Sequence, residues 1–106
     1  NDMLRGINPK ETKNNLEEII KIAKNKNIKV VIAGMIAPTS YGYGYKKSFD
    51  KIFYNLSKKY KLQLIPFLLE GVAQKPEFNL SDGMHPNDQG TIIIGNTLKK
   101  AILENL

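Results

Sequence analysis

The sequence predicts an α/β domain whose strands pair in parallel beneath covering helices. Three observations predict it. Helix-like and strand-like patterns alternate along the 106 residues, in the order helix, strand, helix, strand, long loop, helix. The apolar run that follows Lys29 (Val30, Val31, Ile32, Ala33, Gly34) is continuous rather than alternating, as in a strand buried on both faces. Tyr45, Phe49, Ile52, Phe53, Leu56 and Tyr60 fall on one helical stripe. Such alternation implies parallel pairing through right-handed crossovers.

The elements follow in chain order. Asn8 suits a helix cap, Pro9 the first helical position, and Glu11 the place of a capping-box acid. Leu16, Ile19, Ile20 and Ala23 then repeat at helical spacing. Lys24 and Lys26 suit the negative end of the helix dipole, and Asn25 and Asn27 are stops. A strand over 29–34 leads into a loop from Met35 to Gly44 that contains Pro38, Gly42 and Gly44. The striped helix comes next. Leu62 to Ile65 reads as a second buried strand, stopped by Pro66. An irregular stretch runs from Phe67 to Asn87. Asn87 caps a last helix whose inner face is expected to hold Ile94, Leu98, Ala101, Ile102 and Leu106. The whole of 1–106 reads as a single domain. Two internal strands leave edges and faces uncovered, so further strands upstream are expected.

Composition narrows the classes. Hydrophobic residues at 42% and charged residues at 25% are ordinary for a soluble globular chain. No apolar run is long enough to span a bilayer. No basic segment followed by an apolar one stands in these residues, which says nothing of chain before Asn1. Cysteine is absent, which excludes disulfides, thiolate chemistry and Cys-based zinc sites. The net charge of +6 admits attraction to nucleic acid or anionic surfaces. The lysines are spread along the chain, however, as on solvated helix faces, and they do not alternate with stacking aromatics. No nucleic-acid partner is therefore expected.

In open α/β sheets, ligands bind beyond the carboxyl ends of the strands. The chain start, the Met35–Gly44 loop and the Phe67–Asn87 loop occupy such places. The third holds the only histidine, His85, in Ser81-Asp82-Gly83-Met84-His85-Pro86-Asn87. Gly83 permits a tight turn between Asp82 and His85, and Pro86 biases His85 away from helical geometry. An aspartate so placed can accept from Nδ1, leaving the other ring nitrogen to take a proton from a nucleophile. Simpler readings stay open: a surface histidine, an aspartate that only forms the turn, or a weak metal site from Asp82, His85 and Asp88.

Asp82-Gly83-Met84-His85-Pro86-Asn87 resembles the last block of the SGNH (GDSL-type) hydrolases, Asp-x-x-His followed by Pro-Asn. Asn1-Asp2 resembles the tail of that family's Gly-x-Asn-Asp block. The layout between them, including Pro38 to Gly42 and Pro66 to Glu70, is similar to the bacterial arylesterase and acyl-CoA thioesterase/lysophospholipase branch. The resemblance implies a three-layer α/β/α, flavodoxin-like fold represented by its C-terminal portion. It implies a serine hydrolase of carboxylic or thioesters, with His85 as general base, Asp82 as its orienter and Asn1 as oxyanion donor. Met3 and Leu4 would wall the acyl crevice, with Met35 and Ala37 lining it from a strand end. The implied partners are a small acyl or aryl ester and the missing N-terminal segment of the same domain. No metal or organic cofactor is implied, and relatives in this branch are often exported. The sequence departs from the family in lacking the Gly-Asp-Ser block and the glycine block. Ser40, Ser48, Ser57 and Ser81 match no nucleophile motif. A degenerate relative or a non-enzymatic binding module fits the same residues.

Overall fold

Asn8 opens the first helix, α1 (Pro9–Asn25), in the computed structural model, which describes all of residues 1–106. Its side-chain oxygen accepts from the Lys10 amide at 3.0 Å, and Pro9 stands where the helix needs no amide hydrogen. Asn27 turns the chain with φ 57°, and the Ile28 amide reaches back to the Ala23 carbonyl at 2.9 Å. This left-handed stop satisfies a carbonyl that the helix end would otherwise orphan.

The chain forms two units, Asn1–Pro66 and Phe67–Leu106. In the first, β1 (Val31–Ala33) pairs in parallel with β2 (Gln63–Ile65), with Ile32 opposite Leu64. A parallel pair needs a crossover, and α2 (Tyr43–Tyr60) supplies it, packing on both strands and on α1. Ile20 of α1, Ile32 of β1, Ala37 and the α2 stripe Phe49, Ile52, Phe53 and Leu56 make the core. Burying each large side chain contributes roughly 1.5–3 kcal/mol. The rings of Tyr45 and Phe49 stack at 6.0 Å, and Phe53 meets Phe49 edge-on at 5.5 Å.

Three expectations are corrected in this unit. The first strand is Val31–Ala33, not 29–34, because β2 offers only Gln63–Ile65 as partner before Pro66, which has no amide to pair. The second helix begins at Tyr43, after a short 3₁₀ turn at Thr39–Tyr41, so Gly44 lies inside it. Ile19 is 61% exposed, since the inward line of α1 runs through Thr12, Leu16, Ile20 and Ala23.

The second unit ends in α3 (Asp88–Glu104), capped by Asn87, whose side-chain oxygen accepts from the Gly90 amide at 3.0 Å. Ala101 is buried, and Ile94 and Leu98 are half-buried. Ile102 and Leu106 are exposed, contrary to expectation. Ile102 lies one residue round the helix from Ala101, and Leu106 falls beyond its last turn. The stretch before α3 is less irregular than its composition suggests. It holds buried Val72, a 3₁₀ turn at Pro76–Phe78 and a β-bridge between Asn79 and Pro86.

Candidate active site

The Asp82–His85 loop is the tip of a short antiparallel hairpin. The Leu80 amide donates to the His85 carbonyl at 2.8 Å, and the Asn87 amide donates to Phe78 at 3.0 Å. Asn79 ties the near arm down, its side-chain amide donating to the carbonyls of Val72 and Lys75, each at 2.8 Å. Asn87 ties the far arm, donating to the Glu77 carbonyl at 2.8 Å while its oxygen caps α3. A Cβ on Gly90 would collide with the Phe78 carbonyl, so only glycine lets α3 approach the hairpin this closely.

Within the tip, the Asp82 carboxylate uses its oxygens for different tasks. Oδ1 accepts from the backbone amides of Met84 at 2.9 Å and His85 at 3.0 Å. That clamp forces a tight turn, and Gly83 meets it with φ 70°. Oδ2 lies 2.7 Å from Nδ1 of His85. The hydrogen bond from the His85 ring, then those from the His85 and Met84 amides, lower the Asp82 carboxyl from 3.8 to about 2. Asp82 is therefore ionised at neutral pH and can only accept. The shared proton belongs on Nδ1, and the neutral ring carries its lone pair on Nε2. Both side chains are about half exposed (48% and 46%), so hydrogen-bond geometry rather than burial fixes the ring. No three His, Cys, Asp or Glu side chains converge as metal ligands would.

The other singled-out residues lie in the first unit. Asn1 is exposed, and its carbonyl accepts from the Arg5 amide at 3.0 Å. Asp2 fixes this segment by accepting from the buried Thr12 hydroxyl at 3.0 Å and, through its carbonyl, from the Ile7 amide at 3.0 Å. The Tyr45 hydroxyl donates to the Ile7 carbonyl at 2.8 Å. Met3 and Met35 are half-buried against the core, and Leu4 is half-buried in the same turn as Met3. Ala37 is different. It is only 1% exposed and is a core residue, so its methyl group offers no surface to a ligand in this unit.

Lys46 and Asp50, one turn apart on α2, hold that alanine. The Ala37 amide donates to Asp50 Oδ1 at 2.7 Å, and Lys46 Nζ donates to the Ala37 carbonyl at 2.8 Å and to Asp50 Oδ2 at 2.6 Å. Sequence reasoning missed this clamp, as it missed Asn79 and the hydrogen bond between Thr12 and Asp2. Lys46 and Asp50 carry the i,i+4 spacing of an ordinary surface pair. The available signal was the loop itself, whose buried amide needs an acceptor.

Known proteins are similar to this chain over its whole length. An arylesterase of Vibrio mimicus is 34% identical over 106 residues, 100% of this chain and 53% of its own length. The thioesterase 1/protease 1/lysophospholipase L1 of Escherichia coli is 32% identical over 102 residues, 96% of this chain and 49% of its own. Among solved structures, TesA superposes with a TM-score of 0.90 at 28% identity, over 100% of this chain and 59% of that one. AlinE4, an SGNH-hydrolase family esterase, superposes at 0.74 with 35% identity, over 100% and 56%. The chain belongs to the SGNH hydrolase family. It has that family's α/β fold, and it spans about half the length of the relatives it matches, aligning with their C-terminal half. No family model matches it.

Proposed function

We propose that this SGNH chain carries the acid–base half of a serine ester hydrolase. The observation that carries the reading is the 2.7 Å contact between Asp82 Oδ2 and His85 Nδ1 at a loop tip. In this reading Nε2 of His85 takes the proton from a serine hydroxyl as its oxygen attacks an acyl carbon. The imidazolium formed is stabilised by ionised Asp82. Nε2 then returns the proton to the departing alkoxide or thiolate, leaving an acyl-serine, and water repeats the sequence. Asn1 is assigned as a donor to the oxyanion, a contribution of ~2.7–4 kcal/mol to the barrier.

The nucleophile is assigned to chain outside these 106 residues. The relatives are about twice as long. Ser57 is buried and donates to the Tyr54 carbonyl at 2.8 Å, and Ser81 adjoins Asp82, where triad geometry is hard to reach. The substrate is a carboxylic ester or thioester with an apolar acyl or aryl group, in keeping with the arylesterase and thioesterase relatives. Met3, Leu4 and Met35 are assigned to its crevice, and Ala37 to supporting the loop that carries Met35. No step in this scheme uses a cofactor.

The test is made on the intact protein with a short-chain aryl ester and a serine-directed phosphonate. Both turnover and labelling are expected, and His85→Ala is expected to abolish both. Full labelling of that variant would remove His85 from the role. The 106 residues alone are expected to show no hydrolysis. Turnover by them that His85→Ala abolishes would place the nucleophile within this chain.

A further inference from the structure

We propose that the groove between the first turn of α1 and the face of α2 binds a phosphate ester. The groove has a volume of about 550 Å³, within the range of small-molecule sites. Pro9 and Tyr45 make its apolar part, and Asn8, Ser48 and Asn55 add polar groups. Its charge comes from Lys10, Lys13 and Lys51, and no carboxylate lines it.

The two ends of the α1–α2 seam differ. At one end Glu17 accepts from Lys59 Nζ at 2.7 Å and from the Tyr60 hydroxyl at 2.8 Å, so the charges there are matched. Further pairing occupies Lys21 with Glu18 and Lys46 with Asp50. At the groove, Lys10, Lys13 and Lys51 make no ion pair. Three ammonium groups around one concavity repel each other, and an anion with several oxygens relieves that repulsion. The amides at the start of α1 do not supply the site, since the Asn8 side chain and carbonyl already accept from Lys10, Glu11 and Thr12. Recognition therefore falls to the lysines, which act as mobile point charges suited to phosphate. The hydrogen bond from Tyr45 to the Ile7 carbonyl ties the segment that leads into α1 to α2 beside the groove. The proposed hydrolysis uses none of these lysines, so the inference is independent of that reading.

The experiment titrates the intact protein with pyrophosphate and, separately, with vesicles of phosphatidylglycerol or phosphatidylcholine. Saturable pyrophosphate binding is expected, weakening as salt screens the groove. Replacing Lys10, Lys13 and Lys51 together with alanine is expected to weaken it by about tenfold or more. The single change Lys51→Glu is expected to act in the same direction. Removing the same charge elsewhere, by replacing Lys75, Lys99 and Lys100, is expected to leave binding unchanged. Binding to phosphatidylglycerol but not phosphatidylcholine, lost in the groove variant, assigns the phosphate to a lipid headgroup. Binding of pyrophosphate without vesicles assigns it to a soluble ester. Failure of both probes overturns the proposal, as does a groove variant that binds like wild type or a control that loses as much.

Discussion

The loop that carries His85 and the loop that follows β1 are held in opposite ways. The first is built from near neighbours. Asp82 grips residues two and three positions on, and the flanking arms pair with each other. The Asp82 and His85 side chains are half exposed. The second is gripped from a different element, with Lys46 and Asp50 of α2 closing on buried Ala37. A loop of the first kind can lose a side chain without disturbing a core. A loop of the second kind cannot, because its amide has no water to turn to.

Breaking each loop should therefore produce opposite phenotypes. The largest effect on turnover is expected from His85→Ala in the intact protein, a fall toward 10⁴-fold, about the upper end for general-base help. Its melting temperature should stay near that of wild type, and a large drop would mean that the tip is structural after all. Asp82→Asn is expected to cost nearly as much, approaching about 10⁴-fold. The amide oxygen can still clamp the turn, but its NH₂ now faces Nδ1 and drives the ring proton to Nε2. Steady-state kinetics on an aryl ester rank the two.

The complementary variant is Asp50→Ala. It strands the buried Ala37 amide and should cost ~1–3 kcal/mol of stability, read as a lower denaturation midpoint at an unchanged slope. Unchanged stability would show that the clamp is incidental.

Spacing alone makes the first loop legible and leaves the second obscure. The α2 stripe, the Asn8 and Asn87 caps and the Asp82–His85 neighbourhood all follow from patterns a few residues long. The Lys46–Asp50 clamp does not, because nothing in an i,i+4 pair says that a distant loop needs it. Ile102 and Leu106 were misplaced for a related reason. Periodicity marks an apolar face but not where its helix ends or what meets it. The hairpin was hidden because Pro86, in a strand-like position, reads against pairing.

Two finer tests stay within the tip. The Asp82 carboxyl should titrate near 2, and His85→Ala should move it back toward 3.8, because the ring hydrogen bond is the largest cause of the shift. Its folded-state value is depressed, so the stability it adds is present above about 3.8 and is lost as pH falls through about 2. A midpoint already near 3.8 in wild type would deny the contact. The smallest effect is expected from Gly83→Ala, where nothing crowds a new methyl group but φ is 70°. A loss of ~1–2 kcal/mol, seen first as faster amide exchange at the tip, is expected. Exchange unchanged from wild type would mean the turn tolerates a side chain.

The most direct measurement is the nitrogen spectrum of the His85 ring at neutral pH, in wild type and in Asp82→Asn. A ring that keeps its proton on Nδ1 in wild type and transfers it to Nε2 in the variant is the predicted result. A wild-type ring protonated on Nε2 would contradict it, since that nitrogen could not then accept a proton from a serine.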